Sequence, residues 1–273
     1  VILVYNTSFA GGVTLNDGPS NTNLTINFSV RDADGASNLN TTSAFINVTK
    51  SNEPTRANYS CSQISSSGND ANYSCKVSLF WFDSDGVWTI NASIKDMSSN
   101  FAANDTTILT INTLTGFVAT GALSFSTLNP GSTNNTPTTA IRLNNTGNQN
   151  IFKGGISVNA TSLRGETDNT KYLHSGNFSV SNSTGASNPQ CDIITSTAAG
   201  TAVNLTSVSG NSFITINGTS IYATLMRGNY TVNNGATGQE DLYACLRLAG
   251  TELTQQAYST LSFGPWTIKI TAV

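Results

Sequence analysis

The sequence predicts an all-β fold of two Ig-like β-sandwich domains in tandem. Three observations carry this reading. Apolar and polar residues alternate at the period of two that a half-buried strand requires, in one segment after another. Asp, Asn, Gly and Pro punctuate these segments at the spacing of short strands. No stretch shows a convincing helical period. At 273 residues the chain fits two domains, each able to bury its own core. We place them at 1–113 and 121–273, the second with longer loops, and read 114–120 as a linker or the start of a strand.

Val1–Tyr5 is a short apolar strand, followed by a turn at Gly11-Gly12. Thr22–Arg31 follows with Leu24, Ile26, Phe28 and Val30 inward, then a turn at Asp32–Gly35. Ala44–Lys50 turns Ile46 and Val48 inward, and Tyr59–Ile64 carries Cys61. A Ser- and Gly-rich loop, 65–69, leads to the clearest stretch, Tyr73–Asp96, which reads as a hairpin closed at Asp-Gly. Cys75, Val77, Leu79 and Trp81 share one face of its first strand; Trp88, Ile90, Ala92 and Ile94 share one face of its second. Thr89, Asn91, Ser93 and Lys95 point away. Phe80 and Phe82 fall opposite the Cys75–Trp81 face, as the other side of a buried strand, a subunit contact or a sugar-stacking platform. Thr106–Ile111 closes the first half.

The second half offers strands at Ala122–Thr127, Thr139–Leu143, Ile156–Ala160, Phe178–Val180, Val203–Leu205, Phe213–Ile216, Leu242–Leu248 and Trp266–Ile270. Thr251–Tyr258 is read as a helical turn or two.

Charged residues are only 10% of the chain, with 15 acidic against 12 basic. No basic surface is available for nucleic acid or an acidic membrane. Ser (34), Thr (39) and Asn (34) must supply the solubility instead. Four cysteines fall two to each half without a C-x-x-C, and the single histidine cannot help build a Cys/His zinc site. Cys61–Cys75 and Cys191–Cys245 are the expected pairs, which implies an oxidising, extracellular compartment. No signal peptide or spanning segment is legible, so the chain reads as mature or trimmed, with any membrane anchor elsewhere.

Asn-x-Ser/Thr acceptors for N-linked sugar occur at Asn6, Asn23, Asn27, Asn40, Asn47, Asn58, Asn72, Asn91, Asn104, Asn134, Asn144, Asn159, Asn177, Asn182, Asn204, Asn217 and Asn229. Composition alone accounts for about half of them. Geometry adds to the signal: in a strand the Asn and its hydroxyl partner face out together while the middle residue faces in. Eight middle positions hold Leu24, Phe28, Val48, Tyr59, Tyr73, Phe178, Leu205 or Tyr230. The plain alternative is an unmodified Ser/Thr/Asn-rich β surface.

Asp32-Ala33-Asp34-Gly35 and Asp83-Ser84-Asp85-Gly86 offer alternating carboxylates that suit calcium, although Asp and Gly are equally the default residues of a turn. No other cofactor is indicated. Nucleophile-elbow, zincin, phosphate-loop and dinucleotide motifs do not occur. His174 lies in an expected loop and reads as a surface polar residue, and catalysis is not expected.

The D-G-V-W-T-I-N-A-S-I-K-D strand, the acceptor-studded strands, and L-N-P-G-S-T-N-N-T-P followed by L-N-N-T-G-N resemble the β-sandwich glycoproteins of archaeal cell surfaces, both surface-layer proteins and extracellular filament subunits. The resemblance spans both halves on generic motifs. It implies a homopolymer, sometimes joined by donation of an N-terminal strand, for which Val1–Tyr5 is the candidate. The competing reading keeps Val1–Tyr5 in its own domain. An adhesin or carbohydrate-binding module of a larger surface protein is the alternative to a structural subunit.

Overall fold

The computed structural model describes residues 2–5, 11–152, 155–193, 202–205, 214–215, 224–228 and 238–270. It is all-β, with several sheets and, among the described residues, no α-helix. Two compact units divide it. Unit 1 is Val1–Gly116 with Thr146–Gln149 and Arg227–Thr237; unit 2 is Phe117–Asn145, Asn150–Met226 and Gly238–Val273. Of the two readings of 114–120, the strand start is observed, because Phe117–Thr120 is a strand of unit 2.

Unit 1 contains β1 (Ile2–Val4), β2 (Thr22–Arg31), β3 (Leu39–Thr49), β4 (Arg56–Asn58), β5 (Ser62–Ser67), β6 (Asp70–Leu79), β7 (Gly86–Asp96) and β8 (Phe101–Ile111). They form two four-stranded antiparallel sheets, β1-β2-β6-β5 (sheet 1) and β4-β3-β7-β8 (sheet 2). One apolar cluster takes alternate residues from both, including Ile26, Phe28, Tyr73, Val77 and Leu79 from sheet 1 and Ile46, Val48, Trp88, Ile90 and Leu109 from sheet 2. The pattern is that of two sheets packed face to face, each strand turning every second residue inward. Val13 adds a parallel bridge to Ile111.

The expected hairpin at Asp-Gly is not formed. β6 and β7 lie in opposite sheets, joined by a six-residue arch, Phe80–Asp85. A two-residue hairpin turn would return the chain beside itself. Here the ladder stops at Leu79, the Asp83 N–H donates to the Phe80 carbonyl at 2.9 Å, and the chain crosses to the other sheet. Phe82 is therefore wholly buried rather than opposite the core face, and Trp81 and Phe80 are half-buried in the arch.

Further boundaries shift. β4 has no counterpart in the sequence reading. Tyr59–Ile64 does not form one strand, since Tyr59 and Ser60 precede the ladder and β5 runs through most of the expected 65–69 loop.

Unit 2 contains β9 (Phe117–Thr120), β10 (Thr133–Asn135), β11 (Ile141–Asn145), β12 (Ile151–Phe152), β13 (Ile156–Asn159), β14 (Leu163–Gly165), β15 (Tyr172–Leu173), β16 (Phe178–Ser181), β17 (Val203–Asn204), β18 (Ile214–Thr215), β19 (Thr224–Leu225), β20 (Gln239–Leu248), β21 (Tyr258–Ser259) and β22 (Thr267–Ile270). Its main sheet runs β17-β16-β20-β11-β9, with β10 also on β20. Smaller sheets are β18-β13-β22, β15-β14-β21 and β12-β19. The core gathers Leu143, Val158, Phe178, Val180, Leu242 and Leu246, and Trp266 meets Phe178 edge-on at 5.2 Å.

Ala122–Thr127 is not a strand, although Leu123 and Phe125 still pack on this core; the Ser124 carbonyl accepts one backbone bond, from Thr138. Thr251–Tyr258 forms turns rather than a helix, and Phe213 and Ile216 lie outside the described residues.

Tyr73 carries a flaw in an otherwise apolar cluster. Its ring stacks on Phe28 at 5.3 Å, yet its hydroxyl is buried without a partner, and burial pushes its pKa up. An unmade hydrogen bond costs about 1–3 kcal/mol. Tyr73→Phe is expected to raise the stability of unit 1 by about 1 kcal/mol in urea unfolding; a loss of that size would show that the hydroxyl has a partner.

Candidate functional site

Asp83 sits at the middle of the arch and is fully buried, as is Arg56 at the start of β4. The Arg56 Nε donates to both Asp83 oxygens at 3.0 Å, and its terminal nitrogen donates as well. The Phe80 N–H adds a third donor at 2.8 Å, and the Phe80 ring covers the guanidinium at 4.3 Å. Burial pushes the Asp83 carboxyl up, opposed by Arg56 and the Phe80 N–H. Nearby in the same unit, Arg227 pairs with Glu53 and donates to the Phe82 carbonyl, while Lys50 donates to Ser84 and to the Asp85 carbonyl. Sequence reasoning missed Arg56, Glu53 and Arg227; the one available signal was a basic residue two positions before an acceptor in a chain poor in charge.

The calcium expectation falls on these same turns. Both Asp83 oxygens are taken by Arg56 and the Phe80 N–H, so this carboxylate belongs to an ion pair instead. Asp85 accepts from Thr113, and Asp32 accepts from the Asp34 N–H and from Asn38. Asp34 is exposed in that turn. Among the described residues no three His, Cys, Asp or Glu side chains gather into a metal-holding group. His174 is exposed beside Tyr172, with ring centroids 6.0 Å apart.

Both expected disulfides are present, Cys61–Cys75 within unit 1 and Cys191–Cys245 within unit 2. Cys61 precedes β5 and meets the neighbouring strand β6. Cys191 belongs to a turn, 189–191, that covers the outer side of β16 and β20, where Ser179 donates to the Gln190 carbonyl at 2.6 Å.

The sugar acceptors sort by their surroundings. Asn23 and Asn134 are exposed; Asn27, Asn40, Asn47, Asn58, Asn72, Asn91, Asn104, Asn144, Asn177, Asn182 and Asn204 are half-buried. On sheet 1 two acceptor triplets cross-pair, Asn27 opposite Ser74 and Ser29 opposite Asn72, with Phe28 and Tyr73 between them on the core side. On sheet 2 Asn47 stands directly opposite Asn91. The side-chain nitrogens of Asn58, Asn72, Asn104 and Asn182 donate to Lys76, Ser65, Ile2 and Glu240. Arg247 holds the Asn204 oxygen at 3.0 Å. Asn6, Asn217, Asn229, and the Tyr230 middle position lie outside the described residues.

Five triplets depart from the expected geometry. Asn159 is only 8% exposed, on a strand buried on both faces, so its outward orientation is overturned. Ser179 in Asn177-Phe178-Ser179 is buried beneath the 189–191 turn, and Thr146 of the Asn144 triplet is buried too. Ser93, expected on the wet side, is fully buried between the rings of Phe45 and Phe101, whose strands flank β7. Tyr59, expected inward, is 69% exposed beside Phe45. No family model and no curated protein sequence matches the chain.

Breaking a buried pair by removing one partner costs about 3–5 kcal/mol, whereas replacing both partners by apolar side chains is often neutral. Asp83→Asn and Arg56→Met should each destabilise unit 1 by about 3 kcal/mol or more, and Arg56→Met with Asp83→Leu by less than either. Additive losses in urea melts would refute the clamp.

Proposed function

We propose that the chain is a structural subunit of an extracellular glycoprotein assembly, a filament or a surface layer, of the archaeal cell-surface type. The observation that carries this reading is the cross-pairing of acceptor triplets on the outer face of sheet 1, beside a core that takes every intervening residue. Such a face is built from amides and hydroxyls where most proteins use charge, and sugar on it would supply solubility to a chain with 10% charged residues. Two disulfides are compatible with an extracellular location.

Unit 1 supports the finer reading of an Ig-like sandwich. Lettered in chain order, its sheets are A-B-E-D and C′-C-F-G, with Val13 as an additional bridge along G. Its disulfide joins the segment just before D to E rather than B to F, and its buried Trp88 is on F rather than C, so the resemblance is one of strand order. Joining of subunits by strand donation would offer Ile2–Val4 to a neighbour in the register it takes against β2 of its own chain. That self-pairing favours the strand being at home, with assembly through other surfaces.

The second reading, a carbohydrate-binding module, is favoured by exposed ring clusters: Tyr59 and Phe101 flanking Phe45 in unit 1, and Tyr172, His174 and Phe263 near Arg164 in unit 2.

Electron micrographs of native material should show threads or sheets, and its intact mass should exceed the 28.6 kDa of the polypeptide. Dispersed single particles would overturn the assembly, and the bare polypeptide mass would overturn the glycan coat. Removing each disulfide should cost about 3 kcal/mol for Cys61–Cys75 and about 4 for the longer Cys191–Cys245 loop; free thiols in native protein would remove the argument for an oxidising compartment.

A further inference from the structure

The outer face of sheet 2 carries aromatic rings that remain largely exposed although they cover Ser93. Phe45, Asn47 and Thr49 share it, because Ala44, Ile46 and Val48 all point into the core. Tyr59 lies against Phe45 with centroids 5.8 Å apart, and Phe101 flanks it at 6.5 Å. Tyr59 is 69% exposed and Phe101 58%. The Phe45 plane is inclined by 37° to Tyr59 and by 30° to Phe101, and the negative π face of such a ring attracts weakly positive C–H groups.

We infer that this cluster of rings is the seat of a sugar carried by the same chain on Asn47, with the apolar face of its first ring stacked on Phe45 and Tyr59. The inference rests on the proposed glycan coat. Asn47 is two residues from Phe45 on the same strand face, about 7 Å away, a span that a pyranose on the side-chain amide covers. The Asn47 Oδ1 is buried on the sheet without a hydrogen-bond partner, as is that of the facing Asn91, so the choice between them rests on their hydroxyl partners. The hydroxyl partner of Asn47, Thr49, is half-buried.

The neighbouring acceptors fit less well. Asn91 faces Asn47 across the ladder, with side chains about 5 Å apart, but its partner Ser93 is fully buried under the rings. Asn58 has its nitrogen committed to the Lys76 carbonyl at 2.7 Å. Attachment forms a bond between the Asn47 Nδ2 and the anomeric carbon of a phosphate-activated sugar donor. The bond from that carbon to the donor phosphate breaks, the phosphate departs with the electron pair, and one amide proton is lost.

The test uses the full chain secreted from a host that glycosylates such triplets, with glycopeptide mass spectrometry for occupancy and thermal melting for stability. Tyr59→Ser, at an exposed position, should lower the melting temperature by about 3 °C when Asn47 carries sugar and by under about 1 °C in the Asn47→Gln background; Phe45→Ala, which also uncovers Ser93, should cost more in both backgrounds and still cost more with sugar than without. Equal shifts in both backgrounds overturn the seat. So does a bare Asn47 while other acceptors are modified, or a Tyr59→Ser chain that loses only its assembly, which would assign the rings to a contact between copies. A chain bare at every acceptor overturns the glycan coat as well, and is told apart by that.

Discussion

The Asp83 carboxylate is the constraint on which unit 1 depends. A carboxylate wholly removed from water must be matched by a cation and by donors for its remaining lone pairs. Arg56 supplies the first from β4 in sheet 2, and the Phe80 N–H supplies another from the residue just after β6 of sheet 1. One side chain thereby ties the start of the arch, where it leaves one sheet, to an edge strand of the other. The arch must cross between the sheets for both partners to reach it. A hairpin at Asp85-Gly86 would keep β6 and β7 in one sheet and give up that crossing. The pair also explains why a chain with so few charges spends two of them in its interior: they select one strand pairing over another with the same alternation.

That competition marks the limit of what sequence could reveal. Alternation located the strands and their inward residues, because burial of Ile26, Phe28, Ile46, Val48, Val77, Trp88 and Ile90 depends only on local period. Pairing partners were not legible, since two strands with apolar faces toward one core look alike whether they sit side by side or across from each other. The Asp-Gly signal reads as a turn between neighbours, whereas here it ends a crossing. The disulfides were legible because few pairings keep two cysteines in each half.

The acceptor geometry was legible where a strand has one wet face and failed where it has none. On sheet 1 the rule holds through Asn23, Asn27 and Asn72. On β13 and β16 both faces are covered, so Asn159 and Ser179 are buried despite an alternating sequence. Nothing local announces that cover: for β16 it comes from the 189–191 turn, fixed to β20 by a disulfide that joins residues 54 apart. Ser93 fails for another reason, because its shield is Phe45 and Phe101 on flanking strands of its own sheet.

The edges of unit 1 complete the argument from composition. An exposed edge offers unpaired backbone groups to any passing strand, and proteins commonly blunt it with charge or with bulges. β5 is an edge of sheet 1, exposed along all six residues and without a charged side chain. Its pairing with β6 shifts register between Gln63 and Ser65, and β7 shifts against the edge strand β8 between Ile90 and Ala92. A bulge bends the strand and increases its local twist, which spoils the flat row that a neighbour would copy. Backbone irregularity thus serves on β5 where charge would ordinarily serve, and on β8 it stands beside the exposed Asp105. Hydroxyls and amides serve likewise on the faces, so the low charge count has a structural answer at both places.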